Sequence, residues 1–181
     1  QPEKAKEQLQ QALQAEPANA EAHFLLGQLY ADQASHEVPE AEERLRQAQL
    51  VDPHNPKIDT LQWKLDSAEG KYAKMDSSFE RSLALNQKFA PQIREFRQHY
   101  WATEYNQGVR LATRVKPQEA DIKVKKTEEG AHISVQSVPD PDFPGALPYF
   151  RRATIIDPNR LESWRNIAFV YYQLDSLDAT V

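Results

Sequence analysis

Histidines at positions 23, 36, 54, 99 and 132 are the side chains best suited to acid–base or metal chemistry, and they are scattered along the chain. None falls in the HExxH spacing that sets two imidazoles on one helical face, and no glycine-rich phosphate loop occurs. Glu95 and His99 share a helix face at i, i+4 and could together hold a metal; a solvated ion pair is the commoner use of that spacing. Asp140 and Asp142 stand close together, as paired carboxylates or calcium ligands do, but within the proline-rich run Val138-Pro-Asp-Pro-Asp-Phe-Pro144. There is no cysteine, which removes disulfides, thiolate nucleophiles and thiolate metal sites. Hydrolysis needs a nucleophile and base, or two carboxylates, assembled from distant elements. The sequence offers no such set, so the chain reads as non-enzymatic, with no cofactor and no metal.

Charge narrows the partners. The net charge of −5 argues against a nucleic-acid binder, which needs a basic face to displace counterions. Residues 1–90 hold 10 Lys/Arg against 15 Asp/Glu, and residues 91–181 hold 12 against 12, so neither half is basic. With 181 residues and 40% hydrophobic content the chain is long enough for one core or one short superhelix. Twelve prolines against five glycines suit helices with prolyl stops. No apolar run approaches the roughly 20 residues of a membrane span. Gln1 falls inside a helical pattern without an initiator Met, so the residues are expected to be a piece of a longer chain, with any signal peptide or lipid anchor upstream.

The elements are clearest near the C-terminus. Ala146, Phe150 and Ala153 lie on one helical face that Asp157-Pro158 closes. Asn159, followed three residues later by Glu162, has the form of a capping box for a second helix carrying Trp164, Ile167, Ala168 and Tyr171. This pair resembles the tetratricopeptide repeat, a helix–turn–helix unit of about 34 residues with a Trp–Leu–Gly–Tyr first helix and an Ala–Phe–Ala–Pro second helix. The resemblance implies an all-α superhelix, taken as a single domain over residues 1–181, and sets a register along it. Residues 1–19 (Ala5, Leu9, Ala12, Pro17) match the second helix of a truncated repeat. Residues 20–55 match a full repeat, with His23, Leu26, Gly27 and Tyr30 in the first helix, a turn at Gln33–Pro39, and Ala41, Leu45, Ala48 and Pro53 in the second. His23 takes the usual Trp position and is expected to pack. Residues 56–87 form a degenerate repeat opening at Pro56, with its turn near Gly70 and Tyr72 and with Phe79, Ser82 and Leu83 in its second helix; Trp63 stands where Gly is usual. Residues 91–158 form a repeat with an extended first helix through Tyr105 and Gly108, an insertion at about 115–143, and the Ala146 helix. Residues 159–181 begin another repeat.

The insertion alternates apolar and polar residues in Ile122–Lys126 and Ala131–Val135 around Thr127-Glu-Glu-Gly130, the pattern of a small β-hairpin. Ile122, Val124, Ile133 and Val135 must rest on something, because a lone hairpin is marginal. Lys123, Lys125 and Lys126 read as charges guarding an exposed edge, with an anionic partner as the alternative. The run Tyr72-Ala-Lys-Met75-Asp-Ser-Ser-Phe79 with the Tyr100–Gly108 helix also resembles repeat proteins exported as bacterial lipoproteins, which implies an extracytoplasmic location; a cytoplasmic one stays open.

Repeats of this kind bind partners on a concave surface lined by first helices. The resemblance therefore implies a non-catalytic protein–protein scaffold that takes a peptide or partner helix at Phe24, Gln28, Tyr105, Val109, Arg165, Phe169 and Tyr172. Glu162 shares that face. Aromatic and Arg side chains are the types that dominate interface energy. Phe24 and Phe169 could instead pack between repeats. The family's carboxylate clamp is not matched, since Phe24, Gln28 and Leu61 occupy its Lys and Asn places. Two alternatives remain: a structural unit stacking through open helical ends, a homodimer included, and an accessory domain of a larger enzyme.

Overall fold

The computed structural model describes residues 2–117, 123–127, 130–134 and 137–178. Six α-helices are found among them: α1 Pro2–Ala15, α2 Ala20–Val51, α3 Ile58–Leu85, α4 Ala90–Ala112, α5 Phe143–Ile156 and α6 Leu161–Asp178. The all-α class expected from the sequence holds. Asn19 starts α2 by accepting a hydrogen bond from the Ala22 N–H at 2.9 Å. Asp52 and Asn86, both extended, end α2 and α3. Their side chains then accept from the backbone two residues on, His54 N–H in one case and Lys88 N–H in the other, each at 3.0 Å. Two expected boundaries shift. α3 opens at Ile58 rather than Pro56, and Arg160 rather than Asn159 precedes α6.

The larger difference lies inside α2 and α3. The turns expected at Gln33–Pro39 and near Gly70 are absent; both helices run straight through. The chain divides into two units, residues 1–103 with 152–160, and residues 104–151 with 161–181.

In the first unit α2 and α3 lie antiparallel along their length. Ser82 Oγ donates to the Ala20 carbonyl at 2.8 Å, and Lys71 pairs with Glu37 farther along. Between these points Gly27 meets Phe79: a Cβ on Gly27 would stand 2.5 Å from the ring. Only glycine permits that approach. The helix that seats on Ala20–Gln33 is therefore Tyr72–Leu85, not the Ala41–Pro53 segment that the repeat register assigns to it. Ala31, Ala34, Val38, Met75, Phe79 and Ile93 form the buried core.

The second unit repeats the device. A Cβ on Gly108 of α4 would stand 2.7 Å from the Phe150 ring of α5. Here the sequence register and the structure agree on the partners. Phe143, Ala146, Phe150 and Val170 make the core, with Tyr105, Val109, Ile167 and Leu174 packed on it. Between α4 and α5, strands β1 Val115–Pro117 and β4 Ser137–Pro139 pair antiparallel, as do β2 Lys123–Thr127 and β3 Gly130–Ser134. Glu128, Glu129, Ile122 and Val135, and the side chains of Val124 and Ile133, lie outside the described residues.

Candidate protein-binding surface

α6 is held to the second unit by one stripe and open on the others. Ser163 and Val170 are buried, and Ile167 and Leu174 pack on the Phe143–Phe150 core. On the open side Arg165, Phe169 and Tyr172 follow at i, i+4 and i+7, a single helical face. Tyr172 is 70% exposed and Phe169 48% exposed. The covered edge of Phe169 stands T-shaped against Phe143, with centroids 5.9 Å apart. That fixes the ring without hiding it. Arg165 is exposed and has no ion pair among the described residues. Beside this face runs a second exposed stripe of Leu161, Trp164 and Tyr171. The Arg151 guanidinium donates to the Tyr171 hydroxyl and lies 6.0 Å from that ring's centroid.

Tyr105 and Val109 are half-buried and serve the core. Tyr105 meets Phe150 edge-on at 5.8 Å, leaving only part of the ring for any outside contact. In the first unit, Phe24 is a correction to the sequence expectation. It is 8% exposed, stacked on Phe89 at 4.8 Å and flanked by Phe79 and Phe96. The 3-10 turn Gln87–Phe89 and α4 bring those rings over it, so Phe24 is a core residue and not a contact surface. Gln28 is half-buried and lines an open cleft of about 440 Å³ between α1 and α2, with Ala5, Gln8, Leu9 and Leu25.

The groups singled out for chemistry hold structure. Asp142 Oδ1 accepts from the Gly145 N–H at 2.9 Å, capping α5, and Arg114 pairs with Asp140 at 2.9 Å. His99 lies edge-on to Tyr100, with centroids 5.0 Å apart, and half-buried His23 lies 3.1 Å from the Pro17 carbonyl through Nε2. No group of three His, Cys, Asp or Glu side chains gathers among the described residues. No described helix is long and apolar enough to cross a membrane.

Electrostatics instead tie helices together. Arg152, 2% exposed, donates through one nitrogen to Glu42 at 2.8 Å and Glu69 at 2.7 Å, joining the end of α5 to α2 and α3. Arg97 spans Asp76 and Glu80. Burial raises the Asp76 carboxyl above its usual range, outweighing the attraction of Arg97. Burial opposes the charge on Arg97, and its two carboxylates more than offset this. Tyr100 donates to Asp32 at 2.6 Å, and burial, reinforced by that bond, pushes its phenol far above the ordinary value. Sequence reasoning missed the Arg152 network. The only signal was an Arg on the helix that bears Phe150 and Ala153, and nothing local marks Glu42 and Glu69 as its partners.

A family model described as tetratricopeptide repeat matches residues 1–65, which cover α1, α2 and the start of α3. No curated protein and no solved structure matches the chain.

Proposed function

We propose that this chain, a tetratricopeptide-repeat protein, is a non-catalytic scaffold that binds a peptide or partner helix on the open face of α6. The observation that carries this reading is Arg165, Phe169 and Tyr172 standing exposed on one face while the opposite stripe of the same helix is anchored in the core. A helix already fixed on its core has no backbone to order on binding, and aromatic and arginine side chains are the residues on which interface energy concentrates. Tyr105 and Val109 act as supports, holding α4 and α5 beneath the surface, and Gln28 is a polar contact in the α1–α2 cleft. Phe24 has no role at the surface. The strands between α4 and α5 are proposed to be a β-hairpin insertion.

The test is selection of a random peptide display library on immobilised protein, run in parallel on wild type and on Arg165→Ala/Tyr172→Ala. Sequences enriched on wild type and lost on the double variant support the reading. Enrichment that is equal on both proteins refutes the assignment to α6.

A further inference from the structure

We infer that α2 and α3 form a latched hairpin able to fold back at two facing weak points, so that Gly27 exchanges one partner helix for another. This concerns the first unit alone and does not rest on the binding face of α6.

Two segments of the chain carry a face suited to Gly27. One is the face of Met75, Phe79 and Ser82, of which the structure seats Phe79 on Gly27 and Ser82 on the Ala20 carbonyl. The other is Ala41, Leu45 and Ala48 on the continuation of α2 itself, with Pro53 just past its end, spaced four, three and five residues apart. The family match over residues 1–65 includes this second segment and stops short of Phe79. The repeat pattern thus pairs Ala20–Gln33 with Ala41–Pro53, while the structure pairs it with Tyr72–Leu85.

The helix is weakest where a fold-back needs it to be. Pro39 lies inside α2, so the Ser35 carbonyl has no N–H four residues on. Just before it Ser35 Oγ donates to the Asp32 carbonyl at 2.9 Å, and His36 Nδ1 lies 2.8 Å from the same oxygen. Such local bonding competes with the helical ladder. In α3 the matching point is Gly70, where an added Cβ would meet nothing within 4 Å. No close approach requires glycine there, and its backbone freedom remains a weakness. The Glu37–Lys71 ion pair sets the two points opposite each other.

Arg152 is the latch. Glu42 and Glu69 lie on the far half of the hairpin, beyond both weak points, and the buried guanidinium holds them both. Without it the far half, which exposes Leu50, Val51 and Trp63, has less to keep it extended. On fold-back α2 breaks near Pro39, Ala41–Asp52 returns along Ala20–Gln33, and Leu45 enters the place of Phe79. α3 breaks at Gly70 in the same movement.

The chain has no cysteine, so spin labels can be placed at chosen sites alone. Labels at Glu21→Cys and Gln49→Cys, both exposed, lie about 42 Å apart along a continuous α2 at 1.5 Å per residue. In the folded-back pairing they fall within about 20 Å, the spacing of neighbouring helices with label arms added. Electron–electron distance measurement on Arg152→Gln, and on the milder Glu42→Gln/Glu69→Gln, is expected to raise the short-distance share about tenfold or more over wild type. Adding Pro39→Ala to either is expected to lower it roughly a hundredfold. A single 42 Å population in both latch variants, with helical circular dichroism retained, overturns the inference and makes the hairpin a fixed insertion. A short distance that vanishes on dilution with unlabelled protein overturns it too, since the exchange is then between copies.

Discussion

Gly27→Ala tests the helix pairing at its tightest point. The new methyl carbon would stand 2.5 Å from two carbons of the Phe79 ring, well inside van der Waals contact. The ring has little room to yield: Phe79 is fully buried, with Phe24 and Phe96 centroids 6.1 and 6.2 Å away. Overpacking of this kind costs about 1–3 kcal/mol, and the better helix propensity of Ala returns about 1. A net loss of up to about 2 kcal/mol is expected. Gly70→Ala, with open space at its Cβ, should instead gain up to about 1 kcal/mol from propensity alone. Urea unfolding reads both, and melting temperatures should separate by about 2–4 °C for each kcal/mol of difference. A cycle with Phe79→Leu, which shrinks the ring, should relieve the Gly27→Ala cost by at least about 0.5 kcal/mol. If Gly27→Ala stabilises as Gly70→Ala does, or if its cost couples to Leu45→Ala and not to Phe79→Leu, the pairing of Ala20–Gln33 with Tyr72–Leu85 is wrong.

Arg152→Ala should cost about 3 kcal/mol, because it leaves two partly buried carboxylates facing each other; Arg152→Met/Glu42→Leu/Glu69→Leu should recover most of it, and denaturant titration distinguishes the two. Tyr100→Phe should cost about 1 kcal/mol at pH 7, for the lost bond to Asp32. The folded phenol has a raised pKa, so its contribution is fully present below the unfolded value near 10 and is lost as pH climbs toward the folded value. The gap between wild type and Tyr100→Phe should therefore hold up to about pH 9 and shrink above pH 10. A gap that widens with alkali contradicts the raised phenol.

Much of the fold was legible because it rests on local rules. Helical spacing placed Ala146, Phe150 and Ala153 on one face, and the pairing of Gly108 with that helix followed from the repeat pattern. The first unit was misread for a physical reason. Ala41, Leu45 and Ala48 have the spacing of a second helix, and Pro39 has the form of a helix start, but α2 continues through it. Burial of Val38, Leu45, Leu65 and Ala68 around and beyond the proline, with Arg152 across the far half, outweighs one missing hydrogen bond. Periodicity cannot choose between two segments with the same face. Phe24 was misplaced on similar grounds: its position in the repeat faces a groove, and here Phe89 and Phe96 fill that space. On α6 Arg165, Phe169 and Tyr172 were placed by the repeat register, and the helix leaves all three exposed, opposite buried Val170.

The central claim is that α6 presents the binding face. Its most direct test is titration of a labelled peptide, selected on wild type, against wild type, Arg165→Ala/Tyr172→Ala and a Trp63→Ala control, followed by fluorescence anisotropy. Loss of two anchors at about 1–2 kcal/mol each should weaken binding by about 30-fold or more in the double variant and leave the control unchanged. Equal affinity in the double variant, or a loss confined to Trp63→Ala, would contradict the assignment and move the binding surface to the α2–α3 hairpin.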